Sequence, residues 1–589
     1  MGGNKDIMKI NRVQITNYRN LKDIDVKMEN ITTLVGENNS GKSNFLHAVI
    51  LPLSSEDGFG STKRLTWYDI NNDAKDSYYA YLKNKRTDIL SGLISVEDFS
   101  KQLPYVSVQL DIEAEEKEHY DIIDILANEN DKWIGKILYK FYPDKTEEIL
   151  SRVKSILSDE TDSSNIKMSL LPVELYSYSI TIPGKEKNIS YEVLSRFKSV
   201  VLPAERDNFA ANANKIGSKA LSEILQKNLS YKSQVKIEKK YSDFFETVKQ
   251  EGELEEILNW QEYSDIPNAK DFFGEISLLP NMPPISSILG SVRLGYKNES
   301  LFMQGLGHRN LILLTVMLNS YLKQDLDSSL RLITVEEPEA HLCNSNVLLM
   351  ANLFNYFNLH NRHTQIVLST HNVEFVNKFG LNTIIVFHNG TALNLSEELS
   401  VTEMDYLSKN PNTDIFSLFY SKRVILVEGV TEELLIKSYL LTNPDLNDIK
   451  VLSFHKGFKD IINIWKMINV GSSNKLGIVR DYDNQPNAQK EHEKENSNQI
   501  IVRTTKEYTL EPEIVKTGNN YTLLKAKYGK EFGWDSLNSK EMSDDWRNKK
   551  SFIMFRLCQD MASGELKGFK MPDHIQQIID FMQGGINAN

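Results

Sequence analysis

Cysteine is nearly absent from this 589-residue chain, which has only Cys343 and Cys558. Two thiols so far apart exclude a disulfide framework and a structural zinc site built on thiolates. No apolar run approaches the roughly 20 residues that span a bilayer. The opening MGGNKDIMKINR lacks the apolar core of a signal peptide. A reducing cytoplasm is therefore the expected compartment, and no membrane partner is expected. A net positive charge is missing too: 68 Lys and Arg stand against 80 Asp and Glu, a balance of −12. Such a chain binds nucleic acid only through a local basic groove or through metal ions that bridge carboxylates to phosphate. Internal repeats and long low-complexity tracts are also lacking. What is present is an ordinary folded composition, 40% hydrophobic and 25% charged, at a length that predicts two or more domains.

Residues Met8 to Ile31 alternate apolar and polar positions, which predicts two short antiparallel strands. The β-branched run Ile31–Val35 predicts a buried strand. Gly36, Glu37, Asn38, Asn39, Ser40, Gly41, Lys42 and Ser43 follow, matching G-x-x-x-x-G-K-[ST]. Phe45, Ala48 and Val49 then carry helical spacing. Strand, glycine loop and helix form the context in which backbone N–H groups cradle phosphates on a helix N-terminus. In that reading Lys42 reaches the β- and γ-phosphates and the Ser43 hydroxyl ligates Mg²⁺. A Gly/Asn-rich turn is the plainer alternative.

The strand Leu330–Val335 ends at Glu336, Glu337 and Pro338. In a P-loop fold such a strand lies beside the loop, where Glu336 orients Mg²⁺ through water and Glu337 polarises the attacking water. Gln365–Thr370 predicts another strand. It ends at His371, placed to contact the γ-phosphate, although a lone histidine is more often structural. Residues 219–260 predict one or two long amphipathic helices, either a hairpin packed on the core or a dimerisation arm. Leu311–Leu318 predicts a buried helix. Arg206 is a phosphate or partner contact, or else a surface ion pair.

A second α/β unit starts near Phe419. Val424–Val427 predicts a buried strand followed by Glu428, with Glu432 one helical turn on. Leu476–Val479 predicts another, ending at Arg480, Asp481, Tyr482 and Asp483. Side chains two apart on extended backbone share a face, so Asp481 and Asp483 are expected to face one ion. Hard oxygen ligands suit Mg²⁺ or Mn²⁺, and crowded carboxylates are costly without a cation. Glu511 and Glu513 are candidates for a second metal position. Two ions about 4 Å apart activate water and stabilise a leaving oxygen in phosphodiester cleavage. Lys549 or Lys550 is the candidate to neutralise charge on the phosphorane. Taken singly, each of these acids is most simply a solvated surface charge. The polar tract Gln485–Gln499 reads as an exposed loop, the stretch Glu397–Ile415 as the linker, and Glu541–Met582 as helices.

The motifs of the first half resemble the ABC-type ATPase heads of the SMC/RecF superfamily. Ile15–Leu21 is similar to their N-terminal segment, EEPEAHL to the Walker B and D-loop, and LSTHN to the switch histidine. The resemblance implies heads that dimerise, a signature loop of one closing over ATP bound to the other. The matching segment here is Gln304–Asn310, which departs from LSGG. In the second half, VILVEGVTEE and IVRDYD resemble the glutamate and DxD motifs of a TOPRIM domain. That join, together with FKMPDHI near the end, resembles the OLD (overcoming lysogenisation defect) nucleases, which include effectors of Gabija and retron anti-phage systems.

The resemblance implies an α/β chain: an N-terminal ABC-type P-loop ATPase over residues 1–400, with a helical insertion at 208–283, and a C-terminal TOPRIM domain over 416–589. It implies ATP and Mg²⁺ or Mn²⁺ as cofactors, DNA as substrate and a homodimer or higher oligomer. A helicase, or a reverse transcriptase with its nucleic acid, is the implied partner. The expected activity is endonucleolytic, gated by nucleotide or partner. The rival reading is an ATP-gated DNA clamp or sensor whose TOPRIM unit is not catalytic. Topoisomerase chemistry is disfavoured, because no separate segment supplies a recognisable tyrosine nucleophile.

Overall fold

The computed structural model describes the chain outside residues 1–7, 56–62, 115–121, 123–124, 130–131, 160–165, 186, 205–220, 223–224, 227–228, 254–264, 266–278, 280–282, 291, 293, 323–327, 361–363, 410–412, 455–457 and 585–589. It divides into two units. One comprises Met1–Leu202, Ser328–Pro338 and Arg362–Asn589, and the other Pro203–Asp327 and Glu339–Asn361.

The first unit holds three sheets. β1 (Lys9–Tyr18) and β2 (Leu21–Lys27) are the antiparallel pair the alternation predicts, with Val13 opposite Val26 and Ile15 opposite Ile24. A second sheet is built on β3 (Ile31–Gly36), all six residues of which are buried. A strand covered on both faces carries such an unbroken apolar run. β4 is Ser54–Ser55. The antiparallel sheet continues with β5 (Val106–Ala114), β6 (Leu126–Glu129), β7 (Lys132–Pro143) and β8 (Tyr176–Thr181), in the order β2-β1-β5-β7-β6 with β8 also on β7. β9 (Phe197–Leu202), β10 (Leu330–Glu336), β11 (Thr364–Ser369), β12 (Ile384–His388) and β13 (Thr391–Asn394) complete the second sheet. Its order is β13-β12-β3-β11-β10-β9-β4, parallel throughout except for the edge pair β12–β13. β11 and β12 thus flank β3, and β10 lies next beyond β11. Glu337 and Ser369, at the C-terminal ends of β10 and β11, share a cavity with the loop that follows β3. The third sheet is all parallel: β14 (Arg423–Val427), β15 (Lys450–Ser453), β16 (Lys475–Arg480) and β17 (Ile500–Thr504), in the order β15-β14-β16-β17.

The helices that bear on function are α1 (Lys42–Val49), α2 (Tyr231–Glu251), α3 (Leu306–Leu322), α4 (Asn344–His360), α5 (Val430–Leu441), α6 (Pro486–Glu493), α7 (Leu510–Lys516), α8 (Lys550–Ala562) and α9 (Asp573–Gln583). α1 buries Phe45, Leu46, Ala48 and Val49, the face its spacing predicts. α9 lies over β16 because Gly477 has no side chain. A Cβ there would stand 2.4 Å from Ile578 Cγ2 and 2.8 Å from Met582 Cε.

In the second unit α2 accounts for part of the expected helical insertion, and none of its residues is buried. Most of residues 208–283, and Arg206 with them, lie outside the described residues. α3 packs against α4 in the same unit. Gly307 sits so close to the chain at His341 that a Cβ would fall 2.3 Å from its carbonyl oxygen. Asn310 Nδ2 donates to the Ala340 carbonyl at 3.1 Å. The candidate signature segment and the D-loop-like segment therefore touch within this unit.

Two sequence expectations are corrected here. The stretch Glu397–Ile415, expected as the linker, is largely helical and packed. It takes in the end of the helix Leu395–Glu398 and the helix Val401–Lys409. Leu399, Leu407 and Ile415 join a core that also takes Val35 and Val386 from the second sheet and Val424, Leu426 and Ile478 from the third. The tract Gln485–Gln499 is not wholly loop, since it contains α6, with proline in its first turn where no N–H is needed.

Candidate nucleotide and metal sites

The phosphate loop has the backbone its glycines permit. Gly36 and Gly41 have φ of 143° and 120°, and a Cβ on Gly36 would stand 2.2 Å from the Phe387 carbonyl oxygen. Asn39 adopts φ 61°, a left-handed conformation that asparagine tolerates. Lys42 Nζ donates to the carbonyls of Gly36 at 2.8 Å and Glu37 at 2.7 Å. Ser40 Oγ is buried with no hydrogen-bond partner among the described residues, and Ser43 is exposed. Asn20 braces the loop from β1–β2 by donating to the Asn39 carbonyl at 3.1 Å and accepting from Asn44 at 2.7 Å. A cavity of about 690 Å³ opens above, lined by Asn38, Asn39, Lys42, Ser43, Glu337 and His371 among others. An orphaned hydroxyl and a lysine turned onto loop carbonyls fit a phosphate chain that would engage both.

Glu336 closes β10 with its Oε1 3.8 Å from His47 Nε2 on α1. Burial holds the His47 imidazole below its ordinary pKa, against the pull of Glu336. Glu337 bends away at φ 40° while its N–H donates to the Ser369 carbonyl at 3.0 Å. Its Oε1 lies 3.7 Å from His371 Nε2. Burial, and then the Lys42 charge, depress the pKa of His371, so it is neutral at pH 7. The structure thus brings Lys42, Glu337 and His371 to one cavity.

In the third sheet the acids follow strand ends. Glu428 follows β14, Asp481 follows β16, Glu432 lies on α5 and Glu511 on α7. Glu432 and Glu511 are buried, Glu511 completely. The Asp481 carboxyl is pushed up to about 8, first by burial and then by the neighbouring charges of Glu432, Glu428 and Glu511, with Lys550 opposing. Burial likewise raises Glu432, with Glu511 adding to it. Thr509 Oγ1 donates to Glu511 Oε2 at 2.8 Å, and Lys550 Nζ lies 3.1 Å from Glu511 Oε1. Glu432, Glu428, Asp481, Glu511 and Lys550 are therefore electrostatic neighbours.

Three residues depart from the sequence reading. Asp483 sits at φ 47° in an exposed turn beyond the strand, so the extended-backbone argument pairing it with Asp481 does not hold. Glu513 is two positions from Glu511 on a helix, not a strand, and such positions face about 200° apart. Its Oε2 instead accepts the Glu507 N–H at 2.9 Å. Lys549 pairs with Asp545 at 3.2 Å, which leaves Lys550 as the lysine in the acid group.

Sequence reasoning missed Arg480 and His492. Arg480 Nε donates to Glu428 Oε1 at 2.6 Å, and its Nη1 bonds the His492 ring, with Nε2 at 3.0 Å. Burial and then the Arg480 charge lower the His492 pKa to about 4. Among the described residues no three His, Cys, Asp or Glu side chains are arranged to chelate an ion as they stand. The donor set nonetheless fits a hard divalent cation: buried carboxylates that disfavour one another's charge are what such an ion relieves.

The AAA ATPase domain family matches residues 8–376, and the TOPRIM domain of overcoming-lysogenization-defect-like proteins matches residues 419–483. The chain belongs to the AAA ATPase domain family and carries an OLD-like TOPRIM domain behind it. Two proteins named Endonuclease GajA are similar to it. That of Bacillus cereus strain HuB5-5 is 22% identical over 516 residues, covering 77% of this chain and 70% of the relative. That of strain VD045 is 21% identical over 476 residues, covering 74% and 68%. Among solved structures, the SMC head domain from Thermotoga maritima is 12% identical with a TM-score of 0.26, covering 65% of this chain and 96% of that one. The recombination mediator RecF bound to ATP is 12% identical with a TM-score of 0.31, covering 66% and 100%. Both scores are low, and the fold stands on the sheets described above.

In this OLD-like chain the TOPRIM match ends at Asp483, so Glu511 and Lys550 are tied to the site by geometry alone. Helical spacing was the legible signal for Glu432. For Arg480 and His492 none existed, because their partners lie 52 and 12 positions away. Among the described residues no helix is long and apolar enough to cross a membrane.

Proposed function

We propose that this protein is an ATP-binding, divalent-metal-dependent DNA endonuclease, the effector of a bacterial anti-phage system, with cleavage gated by nucleotide or by a partner. The observation that carries the reading is the mutually strained group Glu428, Glu432, Asp481 and Glu511 with Lys550, drawn from separate segments beyond the ends of a parallel sheet. The names of its GajA relatives support it. Glu428, Glu432, Asp481 and Glu511 would hold Mg²⁺ or Mn²⁺. Divalent ions bound there supply an activated water and charge for the leaving oxygen. Lys550 contributes a fixed positive charge beside the scissile phosphate. In the ATPase domain, assigned to residues 1–400, Ser40, Lys42 and Ser43 bind phosphates and Glu336 orients the ion. Glu337 positions water and the neutral His371 contacts the γ-phosphate. Residues 416–589 form the nuclease domain, and two or more copies assemble so that signature segments close over ATP.

The test mixes purified protein, plasmid DNA and Mg²⁺ or Mn²⁺ with and without ATP. Cleavage that disappears in Asp481→Ala supports the reading. No cleavage under any nucleotide condition, with or without a partner helicase or reverse transcriptase, sinks it. The hold of Arg480 on Glu428 favours a second reading, an ATP-gated clamp whose TOPRIM domain is structural. Under that reading Glu428→Ala and Asp481→Ala retain phage protection while Lys42→Ala loses it.

A further inference from the structure

Arg480 is the last residue of β16, immediately before Asp481. Its ion pair with Glu428 is mostly buried, with 19% and 22% of the two side chains exposed. On its other side the guanidinium bonds His492, itself 6% exposed and carried on α6. Two packed elements therefore fix the direction of the fork. A guanidinium keeps its charge at any ordinary pH, and its planar fork binds pairs of anionic oxygens, on carboxylate or phosphate alike. While it binds Glu428 it occupies an oxygen that a divalent ion would need, and it places a unit charge where that charge repels the ion.

We propose that Arg480 is a positioning residue, an internal counter-cation that competes with divalent metal for Glu428 and releases it when a DNA phosphate offers the guanidinium another partner. Metal and DNA then bind cooperatively, and the site stays poorly loaded with metal until substrate is present. This rests on the nuclease reading above. It adds a reason for the acid group's not being assembled in advance, and it gives α6 a role in holding the latch.

The experiment measures Mn²⁺ binding to the full chain by electron paramagnetic resonance, with and without a phosphorothioate DNA that resists cleavage. Wild-type protein is expected to bind Mn²⁺ at least fivefold more tightly when DNA is present. Arg480→Gln is expected to bind Mn²⁺ at least fivefold more tightly than wild type without DNA, and to gain less than twofold from DNA. Arg480→Lys keeps the charge and should stay near wild type. If Arg480→Gln does not fold, His492→Ala, which loosens the same guanidinium, should tighten Mn²⁺ about twofold. A folded Arg480→Gln that binds Mn²⁺ like wild type, or more weakly, overturns the latch alone. A wild-type chain that binds no Mn²⁺ at millimolar concentration, with or without DNA, overturns the nuclease reading and the latch together.

Discussion

Glu37, the residue after the first glycine of the phosphate loop, accepts a hydrogen bond from the side-chain amide of Asn474 at 2.8 Å. Asn474 immediately precedes β16, the strand whose other end carries Arg480 and Asp481. The same amide donates to Asn469 Oδ1 at 2.8 Å, and Asn474 is 6% exposed. A second contact, Lys422 Nζ at 3.7 Å from Glu37 Oε2, involves a lysine side chain that is 72% exposed, so it contributes little. The amide is thus the main polar tie between the loop that would sense phosphate and the strand that presents the acids.

Asn474→Ala is expected to separate nucleotide binding from its effect on cleavage. Losing the amide leaves Glu37 Oε1 without this partner, a cost of about 1 kcal/mol, too little to unfold the chain. The thermal shift produced by ATP should persist. The ratio of DNA cleavage rates with and without ATP should move toward one. A ratio equal to that of wild type would remove Asn474 from the coupling.

Glu337→Gln should keep ATP binding and lose hydrolysis. The carboxylate lies 3.7 Å from His371 in the phosphate cavity, and an amide of the same shape cannot take up a proton. A fall of about 100-fold in phosphate release is the scale expected for a lost general base. Lys42→Ala should differ by abolishing the ATP-induced thermal shift itself. Equal loss of binding in both variants would contradict the assignment of Glu337.

The phosphate loop was legible because it is local: strand, loop and helix are contiguous, and each needs only its own residues. Glu428 was legible as the acid that closes a short apolar strand, and Glu432 by its spacing from it, on the helix that starts at Val430. Asp481 and Asp483 were paired on a strand period that the backbone abandons at φ 47°, and Glu511 and Glu513, read together as a second metal position, lie two apart on a helix that turns them away from each other. α6 is too polar to announce a buried face; tertiary contact, seen in the burial of His492, decides it. The Glu397–Ile415 stretch was read as the linker between the two α/β units. Its apolar residues close a core between two sheets, and no local pattern encodes that partner.

His574 predicts an acid-sensitive fold. It is 4% exposed on α9, and neither ring nitrogen has a hydrogen-bond partner among the described residues. Burial lowers its pKa to about 4. The unfolded chain takes up a proton near pH 6.5 while the folded chain does not, so this contribution is complete above about 6.5 and falls away as pH drops toward 4. The loss approaches about 3 kcal/mol at the low end. Unfolding midpoints at pH 7.5 and pH 5 should therefore differ less in His574→Leu than in wild type. An unchanged difference would place the acid sensitivity elsewhere.

Asp481→Asn should make the metal-free protein more stable while it removes activity. In wild type the Asp481 carboxylate is disfavoured by burial and by Glu432, Glu428 and Glu511, with Lys550 opposing. An amide of nearly equal volume takes away the repelled charge without opening a cavity, so the unfolding midpoint in chelator should rise by about 2 °C or more. Adding Mg²⁺ should then stabilise wild type and leave the variant almost unmoved, because the charge that a cation relieves is already gone. A site kept for structure alone would behave otherwise, with a variant no more stable in chelator and plasmid cleavage preserved. A variant that gains stability as it loses cleavage would locate the strain at the atoms that do the cutting.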